Sequence, residues 1–280
     1  MPCYHPVPYA QEAPGKPVRL NPPVTATTGH LPCGGCLGCK ARRANDWATR
    51  CMHEASLYDH NRFLTLTYDP EHLPPNGWLN IRDVQLWMKR LRKAFPQKIR
   101  YFLTGEYGTQ SGRPHYHALL FNCRFPDERP AGKLIVAATA DHLWGMGEVR
   151  IGLVTQASAS YVAKYALKST MGHPSDDGEP APKPFATMSR GGRGAGLGGI
   201  GSPWLTRYEK DLQHGYVIHE GQKSPIPRAY RKRMDESTLE HIDHIQHTAP
   251  HSRPHMNKDR LEAAEKIHEA KLRFFDRQTL

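Results

Sequence analysis

The chain has 280 residues, a mean hydropathy of −0.66 and a formal net charge of +11 at pH 7. That length suits one large domain, or one domain with appendages, around a sizeable core. No run approaches about eighteen consecutive apolar residues, which excludes a membrane-spanning helix, and the N-terminal MPCYHPVPYAQEAPGKP lacks the apolar stretch of a secretory signal, so the protein is expected to stay where it is made.

The positive charge reads either as a plain solvated basic surface or, more sharply, as the mark of a polyanionic partner, nucleic acid before acidic lipid because no basic helix carries an obvious apolar insertion face. Basic residues cluster at KARR (40–43), KRLRK (89–93) and PRAYRKR (227–233), with Trp47, Trp87, Phe95 and Tyr230 among them.

In chain order, residues 1–32, rich in Pro, Thr and Gly, read as an extended arm, and CGGCLGC (33–39) as a tight loop. Without a secretory signal these thiols point to metal rather than disulfides. Cys33, Cys36 and Cys39 can share one structural zinc with a fourth cysteine, either Cys3 in the arm or Cys51 downstream. Free thiols and part of an iron–sulfur run are the alternatives, the latter without its usual fourth cysteine nearby. Such a zinc would anchor the arm to the first helix and, with KARR, shape a DNA-contacting surface.

Residues 40–58 favour a helix, with Trp47, Cys51, Ala55 and Tyr58 on one stripe. RFLTLTY (62–68) is a strand and 69–78 a loop. Residues 80–95 form an amphipathic helix that Asn80 can cap, with Val84, Trp87, Met88 and Leu91 inward. KIRYFLTGEY (98–107) and HYHALLFN (115–122) are strands joined by the turn 109–114. A helix near 134–143, a strand near 148–154 and a helix near 157–170 follow. The order β-α-β-β-α-β-α predicts an α+β fold with a central antiparallel sheet and packed helices, close to the ferredoxin-like class. Residues 171–203 read as a flexible Gly-rich loop; its glycines follow no strand, so they make no phosphate-binding fingerprint. Residues 204–234 are expected to be partly ordered, 241–255 mobile, and 257–276 a charged amphipathic helix offering a partner contact.

Strand alternation puts His115 and His117 on one face, where two imidazoles can chelate a cation. A partly exposed sheet face that tolerates histidine is the bland alternative. If 109–114 is a hairpin turn, Glu106 returns beside His115 and completes a carboxylate–imidazole set suited to Mg²⁺ or Mn²⁺, open to polarise a phosphate oxygen. In SASYVAKYALKS (158–169), Tyr161 and Tyr165 share a helix face, with Lys168 joining it and Lys164 at its edge. Such tyrosines are ordinarily core residues. Beside a cation site they are candidate nucleophiles toward phosphorus.

The ordered set RFLTLTY, HxH on a strand and YxxxY on a helix resembles the HUH endonucleases that start rolling-circle replication. CGGCLGC, RCMHEA, LTYDPEHLP, GEYG, GRPHYHALLF and YVAKY together resemble the replication initiators of gokushovirus-type microviruses, over roughly residues 1–235. The resemblance implies a divalent ion on His115, His117 and Glu106. It also implies attack by Tyr161 or Tyr165 on the origin phosphate, a 5′-phosphotyrosine ester with a 3′-hydroxyl primer, and later strand rejoining. Lys164 matches the motif lysine and would stabilise phosphate charge. The expected partners are single-stranded and origin DNA with host helicase and polymerase, in the cytoplasm of the bacterial host. The domains implied are an N-terminal arm, Cys loop and helix (1–58), an HUH nuclease domain (59–170), and a Gly-rich loop with a C-terminal extension (171–280). A non-catalytic, zinc-stabilised single-stranded-DNA-binding protein is the competing reading, and a relaxase or transposase a third.

Overall fold

The computed structural model describes residues 3–13, 16–108, 110–165, 181–190, 198–219, 221–248 and 257–278. The chain divides into two compact units, Met1–Arg43 with Asp243–Leu280, and Ala44–Ile242. In the first, β1 (Val7–Ala10) lies between β2 (Arg19–Leu20) and β3 (Gly29–Leu31), all antiparallel. Helix α1 (Leu37–Ala55) continues into the residues of the second unit. There follow β4 (Asn61–Thr67), α2 (Ile81–Ala94), β5 (Arg100–Tyr107), β6 (Pro114–Phe121), β7 (Arg129–Ala131), β8 (Leu134–Val136), α3 (Ala138–Trp144), β9 (Val149–Leu153) and α4 (Gln156–Tyr165). Then come β10 (Phe185–Met188), α5 (Ser202–Tyr208), the hairpin β11 (Tyr216–His219) and β12 (Gln222–Pro225), α6 (Arg228–Arg231) and α7 (Glu236–Thr248); α8 (Lys258–Gln278) completes the first unit. No helix among the described residues is long and apolar enough to cross a membrane.

Among the described residues the central sheet has seven strands, ordered β10-β5-β6-β4-β9-β8-β7, and every pairing is antiparallel. Its spine β4, α2, β5, β6, α3, β9, α4 follows the expected β-α-β-β-α-β-α order within an α+β class. Residues directly opposite in antiparallel strands share a face. One face carries Leu64, Leu66, Leu103 and Tyr116, buried against Val84, Trp87, Met88 and Leu91 of α2 and Leu143 and Trp144 of α3. The other carries Phe102, Leu119 and Phe121, buried against Ala48, Cys51 and Ala55 of α1 and Ala159, Val162 and Ala163 of α4. Helices on both faces explain why β6 reads as a continuous apolar run rather than an alternating one. Each large side chain so buried contributes about 1.5–3 kcal/mol.

The N-cap read at Asn80 is present: its side chain accepts from the amide of Arg82 at 3.0 Å. The arm is not merely extended, since it folds back as β1–β3. Residues 134–136 begin as a strand rather than a helix, because Ile135 pairs with Ile151 of β9 before the helix starts. Within the stretch read as a flexible loop, Phe185–Met188 joins the sheet beside β5. Its backbone partners come from some eighty residues away, so no local signal announces it. Residues 171–180 and 191–197 of that loop lie outside the described residues. The His-rich stretch read as mobile is helical as far as Thr248; residues 249–256 lie outside the described ones.

Composition does not reveal a buried ion pair that ties α1 to the sheet. Glu54, fully buried, accepts hydrogen bonds from the Arg100 guanidinium on β5 and, at 2.7 Å, from the amide of Gly201. The guanidinium also donates to the Gly198 carbonyl at 3.3 Å, and Arg50 donates to that of Ile200 at 2.9 Å. One end of the Gly-rich segment is thereby pinned to α1 and β5. Removing one partner of such a pair leaves an uncompensated buried charge. Arg100→Met is therefore expected to lower unfolding stability by about 3–5 kcal/mol in urea titration.

His53, one residue before Glu54, is stacked on Trp204 with ring centroids 3.6 Å apart, and its Nδ1 lies 3.1 Å from the Tyr230 hydroxyl. Burial, with a smaller effect from His219, holds its ring down at about 4. Between that value and the ordinary histidine pKa of about 6.5 the unfolded chain takes up a proton that the folded chain refuses. Stability should therefore fall as pH drops from about 6.5 to 4, by about 3 kcal/mol at the low end. Urea titrations at stepped pH test this, and His53→Phe should flatten the dependence in that window.

Candidate metal centre and tyrosine helix

The β5–β6 hairpin sets the site. Its register pairs Glu106 with His115 and Thr104 with His117, while β4 on the other side pairs Thr65 with His117 and Thr67 with His115. Glu106, His115 and His117 therefore share the face covered by α1 and α4. The intervening Tyr116 faces the opposite way, buried, and its hydroxyl accepts from the Asn80 amide at 2.9 Å and donates to the Asn80 carbonyl at 3.0 Å. It also lies 3.0 Å from the hydroxyl of Tyr68, which donates to Asp83 in the first turn of α2 at 2.7 Å. The strand is clamped from behind while its front presents two imidazoles. Gly105, beside Glu106, leaves no room for a side chain: a Cβ there would meet the Phe185 ring at 2.9 Å and Tyr116 at 3.0 Å.

The three side chains converge on one point. Glu106 Oε1 lies 3.2 Å from His115 Nε2 and 2.9 Å from His117 Nε2. The far side of each ring is occupied: His115 Nδ1 faces the Arg113 carbonyl at 3.2 Å, and His117 Nδ1 faces the Thr65 hydroxyl at 3.1 Å. A carbonyl only accepts, so a proton on His115 Nδ1 would suit that contact and leave Nε2 able to take a cation beside the carboxylate. Hydrogen bonds on the outer nitrogens are how metal-ligating histidines are oriented. Burial pushes the Glu106 carboxyl up, but the hydrogen bonds from both histidines outweigh it and hold the group below the usual range. Burial holds His117 below the ordinary histidine value, against the opposing pull of Glu106. An ionised carboxylate beside a readily neutral imidazole is a donor set that fits a divalent cation.

Helix α4 brings in the tyrosine. Thr155 and Ser158 cap its start reciprocally: the Thr155 amide donates to Ser158 Oγ at 2.9 Å and the Ser158 amide to Thr155 Oγ1 at 3.2 Å. Ala159, Val162 and Ala163 seat the helix on the sheet. Tyr161 stands at the edge of this contact, 39% exposed, with its hydroxyl 3.5 Å from His117 Nε2 and its ring edge-on to that imidazole. Phe63 flanks both rings. Tyr165 is the last residue of α4, one turn beyond Tyr161, and Lys164 precedes it on the exposed side. Lys168 lies outside the described residues. Sequence reasoning missed Thr65, which orients His117 from β4; its place opposite His117 becomes visible only once the strand register is known.

The structure gathers a second set of groups in the other unit. The sulfurs of Cys3, Cys33, Cys36 and Cys39 lie within 4.8 Å of one another. Cys51 stands apart, fully buried in the core under α1, so the fourth sulfur is that of Cys3. Burial pushes the Cys36 thiol up, but hydrogen bonds from the backbone of Cys39 and Tyr4 and from the neighbouring thiols outweigh it and hold the group down at about 6. Burial, with Cys3 and Cys36 adding to it, pushes Cys39 up to about 12.

A family model described as replication-associated protein ORF2/G2P matches residues 61–170, the span holding both histidines, Glu106 and both tyrosines. The replication-associated protein VP4 of Bdellovibrio phage phiMH2K is 36% identical over 222 residues, 72% of this chain and 66% of that one. The replication-associated protein ORF2 of Spiroplasma virus 4 is 35% identical over 153 residues, 49% of this chain and 48% of its own. The replication-associated protein ORF4 of Chlamydia phage 1 is 32% identical over 152 residues, 49% of this chain and 38% of its own. The chain thus spans just under two thirds of the first relative and less than half of the other two. No solved structure matches it.

Calorimetric titration of Mn²⁺ tests the centre. Glu106→Gln is expected to weaken binding by at least about 100-fold, and Thr65→Val, which removes only the hydroxyl that orients His117, by about 10-fold.

Proposed function

This chain belongs to the replication-associated protein family of gokushovirus-type phages, and we propose that it acts in phage DNA replication as a rolling-circle initiator that nicks and rejoins single-stranded origin DNA. The observation that carries this reading is Tyr161, 39% exposed as a residue, with its hydroxyl 3.5 Å from Nε2 of a histidine in the Glu106–His115–His117 set. A binding module has no use for a nucleophile at that position. Glu106, His115 and His117 would hold a divalent ion such as Mg²⁺ or Mn²⁺, which when bound would supply Lewis-acid stabilisation of phosphate charge.

The chain's own residues do the rest. The Tyr161 oxygen attacks the scissile phosphorus as its proton passes to solvent. The new O–P bond forms as the bond from phosphorus to the 3′ oxygen breaks. The 5′ phosphate stays on the tyrosine as an ester, and the departing 3′ oxygen takes up a proton to become the primer hydroxyl. Lys164 lends positive charge to the phosphate. Tyr165, one helical turn on, provides a second nucleophile, so one tyrosine can hold a strand while the other cuts the next copy; rejoining is the same displacement in reverse. The +11 charge suits a channel for an unpaired strand. The partners are single-stranded and origin DNA, with host helicase and polymerase, in the cytoplasm of the bacterial host.

The test is a cleavage assay on a labelled single-stranded origin oligonucleotide, resolved on a denaturing gel. With Mn²⁺ the wild type should yield a covalent protein–DNA adduct and a 3′-hydroxyl product. EDTA should abolish both, and so should the pair Tyr161→Phe and Tyr165→Phe. DNA that is bound but neither cut nor linked with any divalent ion would sink this reading in favour of a binding module.

A further inference from the structure

The first unit lacks what ordinarily holds a small unit together. None of the residues of β1, β2 and β3 is buried; Leu20 is 55% exposed and Val24, in the turn between β2 and β3, 93%. A sheet so thin cannot stabilise itself by burial, and small units of this kind depend on staples. What is buried nearby is Tyr4, Cys36 and Cys39, with Cys3, Cys33, Leu37 and Ala264 packed around them.

The sulfur geometry indicates the staple. Cys3 Sγ and Cys36 Sγ are 3.8 Å apart, far beyond the ~2.05 Å of a disulfide bond. Around a tetrahedral zinc with Zn–S of about 2.3 Å, neighbouring sulfurs stand about 3.8 Å apart. Three backbone amides aim at these sulfurs: Cys33 at Cys3 Sγ (3.2 Å), Cys36 at Cys33 Sγ (3.3 Å) and Tyr4 at Cys36 Sγ (3.4 Å). Amides aimed at sulfur orient it as a ligand, and four sulfurs within 4.8 Å of one another match the ligand set of a tetrahedral zinc site. The remaining cysteines, Cys51 and Cys123, are fully buried in the other unit. Four protein sulfurs leave no open position, so the site is structural rather than catalytic.

Cys3 is followed at once by two contacts to the far end of the chain. The Tyr4 hydroxyl lies 3.0 Å from His268 Nδ1, and His5 Nε2 lies 2.6 Å from Glu265 Oε2. On α8, Leu261, Ala264, Glu265 and His268 follow the i, i+3, i+4, i+7 spacing of a single face, and Leu261 is buried. The helix expected to be a partner contact is thus docked on the protein's own N-terminus. We propose that Cys3, Cys33, Cys36 and Cys39 bind one zinc ion, and that this ion clasps the two ends of the chain by fixing residues 3–5 as the seat for α8. The clasp is independent of nicking: it concerns another metal, another ligand set and the other unit.

The test uses the full-length chain. Elemental analysis after dialysis should find one zinc per chain and no iron. Cys3→Ser and Cys36→Ser should each lose it, whereas Cys51→Ala and Cys123→Ala should keep it. Cobalt exchanged for zinc should show the visible bands of a tetrahedral thiolate site. In hydrogen exchange, stripping zinc from the wild type with a chelator should speed α8 amides at least about tenfold and leave β4–β6 amides unchanged. His268→Ala should speed the same α8 amides with zinc still bound, separating loss of the clasp from failure to fold. Absence of zinc, iron in its place, or zinc retained in Cys36→Ser would overturn the site. Zinc present but α8 exchange indifferent to its removal would overturn the clasp.

Discussion

Everything at the candidate metal centre depends on one register, Glu106 opposite His115 across β5 and β6. A strand alternates faces with each residue, so a slip of one position would send both imidazoles into the apolar layer under α2 and bring Tyr116 to the front. Tyr116 is what forbids the slip. Its hydroxyl is engaged by both backbone groups of Asn80, the residue that caps α2, so moving the strand would break the cap and orphan a buried phenol. The pattern HYH thus holds two roles at once, with histidines on the chemical face and a tyrosine locking the structural one.

The second constraint brings the sheet and its covering helices together. Glu54 and Arg100 join α1 to β5 without exposure to water, and Gly201 and Gly198 close around the same pair. Burying two charges carries a desolvation penalty that this hydrogen-bonded arrangement offsets, and the gain is specificity: α1 has one seat on the sheet. Helix α4 packs into the same cluster, so the position of Tyr161 beside His117 follows from how α1, α4, β5 and β6 share one core of alanines, Phe102, Leu119 and Phe121.

The two candidate metal sites differ in design. At Glu106, His115 and His117, three candidate ligands stand on the central sheet beside the partly exposed Tyr161. At the four cysteines the candidate ligands would use up a tetrahedron, and the surroundings are packing contacts with Tyr4, Leu37 and Ala264. One arrangement suits chemistry and the other suits holding an otherwise coreless arm.

What the sequence by itself determined is what short-range periodicity can express. Period two placed His115 and His117 on one face, period 3.6 placed Tyr165 a turn from Tyr161, Asn80 marked its helix start, and the element order of the spine was readable throughout. Glu106 was within reach because a hairpin turn is a local event. The tertiary structure alone decided that Cys3 rather than Cys51 meets the other sulfurs, that Thr65 stands behind His117, that Glu54 finds Arg100, that Phe185–Met188 extends the sheet, and that α8 folds back on residues 3–5. The reason is physical. Local spacing fixes which side of an element a residue faces, because backbone geometry repeats every two or 3.6 residues. Which surfaces then meet depends on the burial of many side chains at once, and no single stretch of sequence carries that sum.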